Sequence, residues 1–341
     1  MENAELQKML DRARLCLADV DRSANPVGSG KPRFVLFHAA MSFCSQKVRA
    51  TLAQRGAAYE SNEMLILGRR EANGLLIPAE NYSPDYVRLR LRGQGAGSVG
   101  LAQAYSGISS VSEVGLDACA VPTLVDLETS EVVVDSLRIC IHIDAVAGGN
   151  DRLIPTDPVQ LQIVRRQLRA VDVTPHPGLL YGFPQNADLR PDPLKKAMST
   201  VYEEKVEALR ALLSQNIGDP ELVEAYRAKI AKEAGGLNLR YDFAFQDSLR
   251  ASARRIVEQL ASDLEGAGTG WLCGPSLTLA DIFWAVSLTR LQYLGLGRLW
   301  VDFPAVAAYV DRLHELPSVQ EEIIMATRRS MPESKYIRSL V

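Results

Sequence analysis

Strand-like segments end at residue 134, and every periodic segment beyond residue 158 is helical; no other property of the chain restricts its fold so strongly. After that point apolar residues recur at helical spacing over 159–171, 194–213, 220–233, 245–265, 279–294 and 304–315, separated by Gly, Pro and Asn. An α/β half followed by an all-α half implies two domains. At 341 residues the chain is long enough for each to bury a core. The boundary is expected in Gly148-Gly149-Asn150, which assigns residues 33–150 to one domain and 151–341 to the other.

Within the first half the order of segments is informative. A short β-rich run over 33–38 leads through a polar loop into a helical pattern over 46–55, closed by Gly56 just past its end. Residues 59–67 read as a second strand and complete a βαβ unit with an expected right-handed crossover. Val121-Pro122-Thr123-Leu124-Val125-Asp126, a Glu128-Thr129-Ser130 turn and Val132-Val133-Val134 form a hairpin, and Asp135-Ser136 open a helix to about residue 146. Two segments stand outside this βαβ–ββα order. Leu6, Met9, Leu10, Ala13, Leu17 and Val20 predict a docking helix over 3–20, which with the loop at 23–30 makes residues 1–32 an N-terminal extension. Residues 68–116 hold Arg69-Arg70, Pro78, Pro84 and a Gly/Ser-rich run over 93–107, with order expected only at 86–91. We read them as an insertion, since loops of that length in compact domains are usually functional.

Charge and composition exclude several classes. With 38 basic and 41 acidic side chains the net charge is −3, which supplies no overall attraction for polyphosphate. No basic patch replaces it: Arg165-Arg166 and Arg254-Arg255 read as exposed helix turns, so nucleic-acid binding is not expected. No apolar run approaches the ~18–20 residues that span a bilayer. Glu2, Glu5 and Asp11 stand where a signal peptide would be basic and then apolar, so a cytoplasmic address and no membrane association are expected. Cys16, Cys44, Cys119, Cys140 and Cys273 are odd in number and contain no C-x-x-C pair, and His38, His142, His176 and His314 are equally scattered. Neither a disulfide framework nor a metal site is expected.

The βαβ–ββα order, with Val-Pro before the third strand, is the pattern of a thioredoxin-like fold. Met41-Ser42-Phe43-Cys44-Ser45-Gln46-Lys47-Val48-Arg49 lies at its first strand-to-helix junction. A thiol there faces unpaired backbone N–H groups and the positive end of the helix dipole, which favour thiolate over thiol. Cys44 is therefore the candidate nucleophile, with Ser42 and Ser45 as hydroxyl donors to a bound thiolate. The plainer alternative is that Cys44 fills space and Ser45 merely caps the helix. Lys47 and Arg49 read as a solvated helix face, and Cys16, Cys140 and Cys273 as buried packing.

The S-x-C-S-x-K-V-R segment, Val121-Pro122-Thr123-Leu124, Asp135-Ser136 and the late Thr278-Leu279-Ala280-Asp281 resemble glutathione S-transferase landmarks, in that order, from Arg33 to about Pro317. The resemblance implies a thioredoxin-like domain followed by a helical bundle, glutathione as co-substrate and a homodimer. It further implies a cis bond before Pro122 that turns the Val121 backbone toward glutathione, and a γ-glutamyl site at Asp135 and Ser136. A plain N-cap remains the other reading of Ser136. Thr278 and Asp281 fit a capping box that serves folding. Ser42 and Cys44 together, with Asn81-Tyr82-Ser83-Pro84-Asp85-Tyr86 and His176…Leu179-Leu180-Tyr181-Gly182, resemble the bacterial reductive dehalogenases of chlorinated hydroquinones within that superfamily. That likeness implies a small halogenated aromatic substrate, with His176, Tyr181 and Trp284 lining its pocket and Cys44 resolving an aryl thioether. Helix core is the alternative reading of Trp284 and Tyr293. A glutathione-dependent β-aryl etherase, a general glutathione S-transferase and a non-catalytic transferase-fold binding protein are the rival functions.

Overall fold

The computed structural model describes residues 3–93, 99–148, 152–268 and 270–337. In chain order the first half contains α1 (Asn3–Arg14), β1 (Asn25–Val27), β2 (Phe34–His38), α2 (Phe43–Gln54), β3 (Tyr59–Glu63), a small hairpin of β4 (Arg69–Arg70) and β5 (Leu76–Ile77), α3 (Pro84–Leu91), α4 (Val111–Val114), β6 (Thr123–Asp126), β7 (Glu131–Val134) and α5 (Ser136–Val146). Five strands make one mixed sheet in the order β1-β3-β2-β6-β7. β2 runs parallel to β3, with Phe34 opposite Tyr59, and antiparallel to β6, with Leu36 opposite Leu124.

β2 is buried along its whole length because both faces of the sheet are covered. Phe34 and Leu36 join a core with Val48 and Leu52 of α2 and Ile139 and Ile143 of α5. Val35 and Phe37, pointing the other way by the two-residue period of a strand, pack with Leu6 and Leu10 of α1 and Tyr86 and Leu89 of α3.

The helical half comprises α6 (Pro158–Asp172), α7 (His176–Tyr181), α8 (Asp192–Gln215), α9 (Pro220–Leu239), α10 (Phe243–Ala267), α11 (Leu279–Tyr293) and α12 (Pro304–His314), then a last segment with a π-helical stretch, Gln320–Met325. α11 is buried all round, as a central helix must be when its sequence is apolar on every face. Its entry carries the expected capping box: Asp281 accepts from the Thr278 N–H at 2.8 Å, and also from the Leu272 N–H at 3.2 Å and the Tyr309 hydroxyl at 2.6 Å. The core under β2 continues without a break into Val164, Leu168 and Val171 of α6 and Ile282, Phe283 and Val286 of α11. The thioredoxin-like sheet and the helical bundle thus share one apolar interior. Of the expected boundary, Gly149 and Asn150 lie outside the described residues. No helix among the described residues is long and apolar enough to cross a membrane.

Several segments differ from the expectation. α2 begins at Phe43 rather than at 46, because the Ser42 side chain accepts from the Ser45 N–H at 3.3 Å and caps a turn earlier. α1 ends at Arg14 instead of continuing to 20. The loop after it contains β1, which pairs antiparallel with β3. Residues 68–116 are also less irregular than their composition implies. Pro84, at the start of α3, suits a first helical turn, and Tyr86 is buried with its hydroxyl donating to the Ala120 carbonyl at 2.7 Å. Residues 94–98 of the Gly/Ser-rich run lie outside the described residues.

Two outcomes follow for stability. Asp281→Ala strands four buried donors, the Thr278 hydroxyl among them, and a loss of about 2–4 kcal/mol in unfolding free energy by urea titration is expected. Burial lowers the pKa of His38 and His176 well below 6.5 and that of His314 to about 4. Below pH 6.5 the unfolded chain therefore binds protons that the folded chain refuses, and stability falls as the pH falls. His314 alone accounts for about 2 kcal/mol between pH 7 and pH 5, so urea midpoints measured at those two pH values should differ, and less so in His314→Gln.

Candidate active site

The turn between β2 and α2 opens onto a cavity of about 210 Å³ whose wall includes Met41, Ser42, Phe43 and Cys44. Cys44 is the second residue of α2 and half-buried, so its sulfur sits where the first-turn N–H groups have no intrahelical acceptor. The same wall contains Val121 and Pro122, joined by a cis peptide bond, and Asp135 and Ser136 at the start of α5. Two helix N-termini therefore meet the cavity, and both favour negative charge on a ligand. Asp135 holds φ at +75°, a region L side chains rarely adopt and one that persists at ligand-binding turns. Burial raises its carboxyl pKa, as does the neighbouring Asp172, while Lys47 opposes them.

His176 and Tyr181, both on α7, line the cavity. The His176 ring lies on Phe43, centroids 4.1 Å apart, and its Nε2 is 2.9 Å from the Ser287 hydroxyl. Burial, together with Arg290 and Lys47, holds its pKa well below 6.5, so the imidazole is neutral at pH 7. Its Nδ1 has no hydrogen-bond partner among the described residues.

Three expectations are corrected. Ser45 does not face the cavity: its hydroxyl is fully buried and accepts from the Ala39 N–H at 3.2 Å, because the third helical position points back at the end of β2. Trp284 lies in the core between α11 and α6, its indole donating to Gln167 Oε1 at 3.0 Å, and takes no part in the cavity wall. Lys47 and Arg49 are not solvated. The helical half covers that face of α2, leaving Lys47 fully buried between the rings of Phe43 and Phe283, 3.6 Å from Asp172, and Arg49 paired with Glu322.

The structure also brings in residues the sequence reading passed over. Arg290 of α11, buried on the cavity wall, donates to the Met41 carbonyl at 2.7 Å and so ties down the loop that bears Ser42 and Cys44. Burial lowers its pKa, while Tyr293, Tyr181 and Cys44 act in the opposite direction. A single arginine within the apolar run 279–294 was the available signal. Another part of the wall carries Asp117, Lys205, Lys229, Lys232 and Glu233. Asp117 meets Lys229 at 2.6 Å and Lys232 at 2.9 Å, and Glu233 meets Lys229 at 2.7 Å and Lys205 at 3.2 Å. Burial pushes both carboxyls up, but the lysines more than offset it, holding Asp117 far below the usual range and Glu233 at about 2. Cys119 also reaches this cavity, fully buried. Among the described residues no group of three or more His, Cys, Asp or Glu is placed to hold a metal ion.

Residues 220–312 match the family described as glutathione S-transferase, C-terminal domain. The chain is 42% identical over 302 residues to a 2,5-dichlorohydroquinone reductive dechlorinase of Sphingobium indicum, covering 86% of this chain and 83% of that protein. It is 24% identical over 307 residues to a tetrachloro-p-hydroquinone reductive dehalogenase of Sphingobium chlorophenolicum, covering 89% of this chain and 98% of the relative. A solved beta-etherase of Sphingobium sp. strain SYK-6 superposes with a TM-score of 0.51 at 18% identity, covering 85% of this chain and 98% of that one, which establishes likeness of fold.

The five thiols should differ sharply in reactivity. Burial pushes Cys140 and Cys273 up to about 12, Cys119 higher still, and raises Cys16, whose sulfur is 2.5 Å from the Ser83 hydroxyl. A thiol with a pKa near 12 is ionised to about one part in 10⁵ at pH 7, so brief iodoacetamide treatment should label Cys44 first. Peptide mass spectrometry reads the order, and Cys44→Ser should remove the fast-reacting site.

Proposed function

This chain belongs to the glutathione S-transferase superfamily, and we propose that it is a glutathione-dependent reductive dehalogenase of chlorinated hydroquinones. The observation that carries the reading is the pairing of Ser42 and Cys44 on one cavity wall, at the N-terminus of α2, with the cis Val121–Pro122 turn and the α5 N-terminus beside them. A conjugating transferase needs one group to hold the glutathione thiolate, and Ser42 supplies it. A second thiol is needed only if the conjugate must be undone.

In this reading residues 33–150 bind glutathione and residues 151–341 wall in the ring. The start of α5 at Ser136 receives the γ-glutamyl carboxylate and Asp135 faces its ammonium. Val121 and Pro122 meet the peptide-like part, and Ser42 donates to the sulfur. His176, neutral and with no partner for Nδ1 among the described residues, moves a proton as the chlorohydroquinone passes through its quinoid tautomer. Sulfur adds to the chlorinated carbon and chloride leaves, giving an aryl thioether. Cys44 then attacks that sulfur, forming a mixed disulfide with glutathione, and the ring carbon takes a proton. A second glutathione attacks the mixed disulfide, restores the Cys44 thiolate and departs as glutathione disulfide. The balance is two glutathiones oxidised per chloride released and per carbon–chlorine bond replaced by carbon–hydrogen.

The need for reduced glutathione suits a cytoplasmic address, and we propose a homodimer, which light scattering would check. Incubation with glutathione and a panel of chlorohydroquinones should release chloride and glutathione disulfide in equal amounts. Cys44→Ser should still release the first chloride but stop at the glutathionyl-hydroquinone, visible by mass spectrometry. Full turnover in that variant, or absence of chloride release from every chlorohydroquinone by the parent protein, overturns the reading. A β-aryl etherase would retain its turnover in Cys44→Ser.

A further inference from the structure

The cavity wall also carries charge that binding glutathione at Ser42, Val121 and Ser136 does not use. Lys205 of α8 is nine-tenths buried, with its ammonium 4.3 Å from the ring centroid of Tyr181 and 5.3 Å from that of Tyr202. Its carboxylate partner, Glu233, is shared with Lys229. Three lysines face two carboxylates here, so the cluster keeps a surplus of positive charge inside a low-dielectric site. Burial draws the Lys205 pKa down, but Glu233 and the Tyr181 and Tyr82 phenols raise it by more, and the side chain stays charged. Tyr202, only 1% exposed, lines the same wall; its hydroxyl makes no well-formed hydrogen bond among the described residues, and its polar neighbour is the Tyr105 phenol, which lacks one in the same way and interacts with it only weakly. A buried donor without an acceptor costs about 1–3 kcal/mol. Such a group is retained where a ligand supplies the acceptor.

We propose that Lys205 and the Tyr202 hydroxyl form a receptor for one ionisable ring hydroxyl of an aromatic substrate, taking its oxygen as the phenolate. This rests on the aromatic-substrate reading above and adds to it the group by which the ring is recognised. The lining favours a flat ring: Tyr82, Tyr105, Tyr181 and Tyr202 present aromatic surface around the ammonium. The donors favour a single oxygen over a carboxylate. Carboxylates are best met by a guanidinium fork, and the two arginines of the cavity wall are committed elsewhere, Arg90 to the carbonyls of Asp117 and Pro122 and Arg290 to that of Met41. The Lys205 ammonium and the Tyr202 hydroxyl are suited to one negatively charged acceptor. A hydroquinone gripped here by one oxygen has the rest of its ring free to lie against His176 and the thiol-bearing turn. A site built to bond a hydroxyl also rejects analogues that lack it, because its buried donors would be left unpaired.

The test compares 4-nitrophenol with 4-nitroanisole, its methyl ether, by equilibrium binding to the full chain without glutathione; the visible absorption of the phenol reports its ionisation. The parent protein should bind the phenol at least about tenfold more tightly than the ether, as expected for a hydrogen bond to a charged group, and should hold it as the phenolate below its solution pKa. Lys205→Met should abolish both the preference and the ionisation. Tyr202→Phe removes only a hydroxyl and keeps the ring packed against Tyr105 and Tyr181, and it should cut the preference roughly threefold to tenfold. Glutathione affinity, measured separately, should be unchanged in both variants. Equal binding of phenol and ether by the parent, or a preference that survives both substitutions, overturns the proposal. So does a Lys205→Met variant that loses glutathione affinity while keeping its phenol preference, since the cluster would then serve a glutathione carboxylate. Because the probes carry no halogen and require no turnover, a lost preference with chloride release intact refutes the receptor alone. A retained preference without chloride release supports the receptor and refutes dehalogenation.

Discussion

Helix α2 is held from both halves of the molecule, and the position of Cys44 depends on that grip. Residues 45–52 are buried, including two cations. Four groups of this helix and the turn before it find partners across the junction: Lys47 at Asp172 of α6, Arg49 at Glu322, Gln46 at the Thr327 hydroxyl, and the Met41 carbonyl at Arg290 of α11. Burying such pairs adds little net stability, because desolvation offsets the attraction, whereas removing one member leaves a charge stranded at a cost of about 3–5 kcal/mol. Their effect is geometric. Apolar packing alone would tolerate small slips of α2 against α11; three hydrogen bonds and an ion pair do not. The thiol-bearing turn and the helical wall opposite it therefore behave as one body.

The cavity's electrostatics run against those of the chain. The protein as a whole is slightly acidic, at −3, yet two helix N-termini, Arg290 and a surplus of lysines all present positive potential to a small volume. Low dielectric magnifies that local imbalance. The neutral His176 fits this setting: cations close by and burial together refuse it a proton, so it remains available as an acceptor at pH 7. Anionic sulfur and anionic oxygen are the species such a volume stabilises.

Local chemistry made much of this readable in the sequence, and long-range packing hid the rest. The βαβ–ββα order of elements follows from two-residue alternation and turn residues, Gly56 does sit at positive φ behind α2, and the Thr278–Asp281 box does open α11. These are decided within a few residues. Lys47 and Arg49 look like surface on any short-range criterion, and only the arrival of α11 and the 320–325 segment buries them. Ser45 and Ser42 are chemically equivalent candidates; which one faces the cavity depends on a helix start that shifted by three residues once Ser42 became the cap. Trp284 and Arg290 lie six residues apart on α11 and hence on different faces, so a guess about one says nothing of the other. Lys205, Lys229 and Asp117 come together from three separate segments, a meeting that no sequence spacing announces.

The N-terminal extension has a role that its loop-like composition conceals. β1 lies against β3 for three residues, with Pro26 at its centre opposite Glu60. Without it, the backbone of β3 would present an open row of donors and acceptors, a template onto which another chain can add. β1 satisfies that row, and proline, having no N–H to offer, makes β1 itself a poor template in turn. The sheet ends in a strand that cannot easily be extended, so the residues before the thiol-bearing domain act as a guard against intermolecular strand addition.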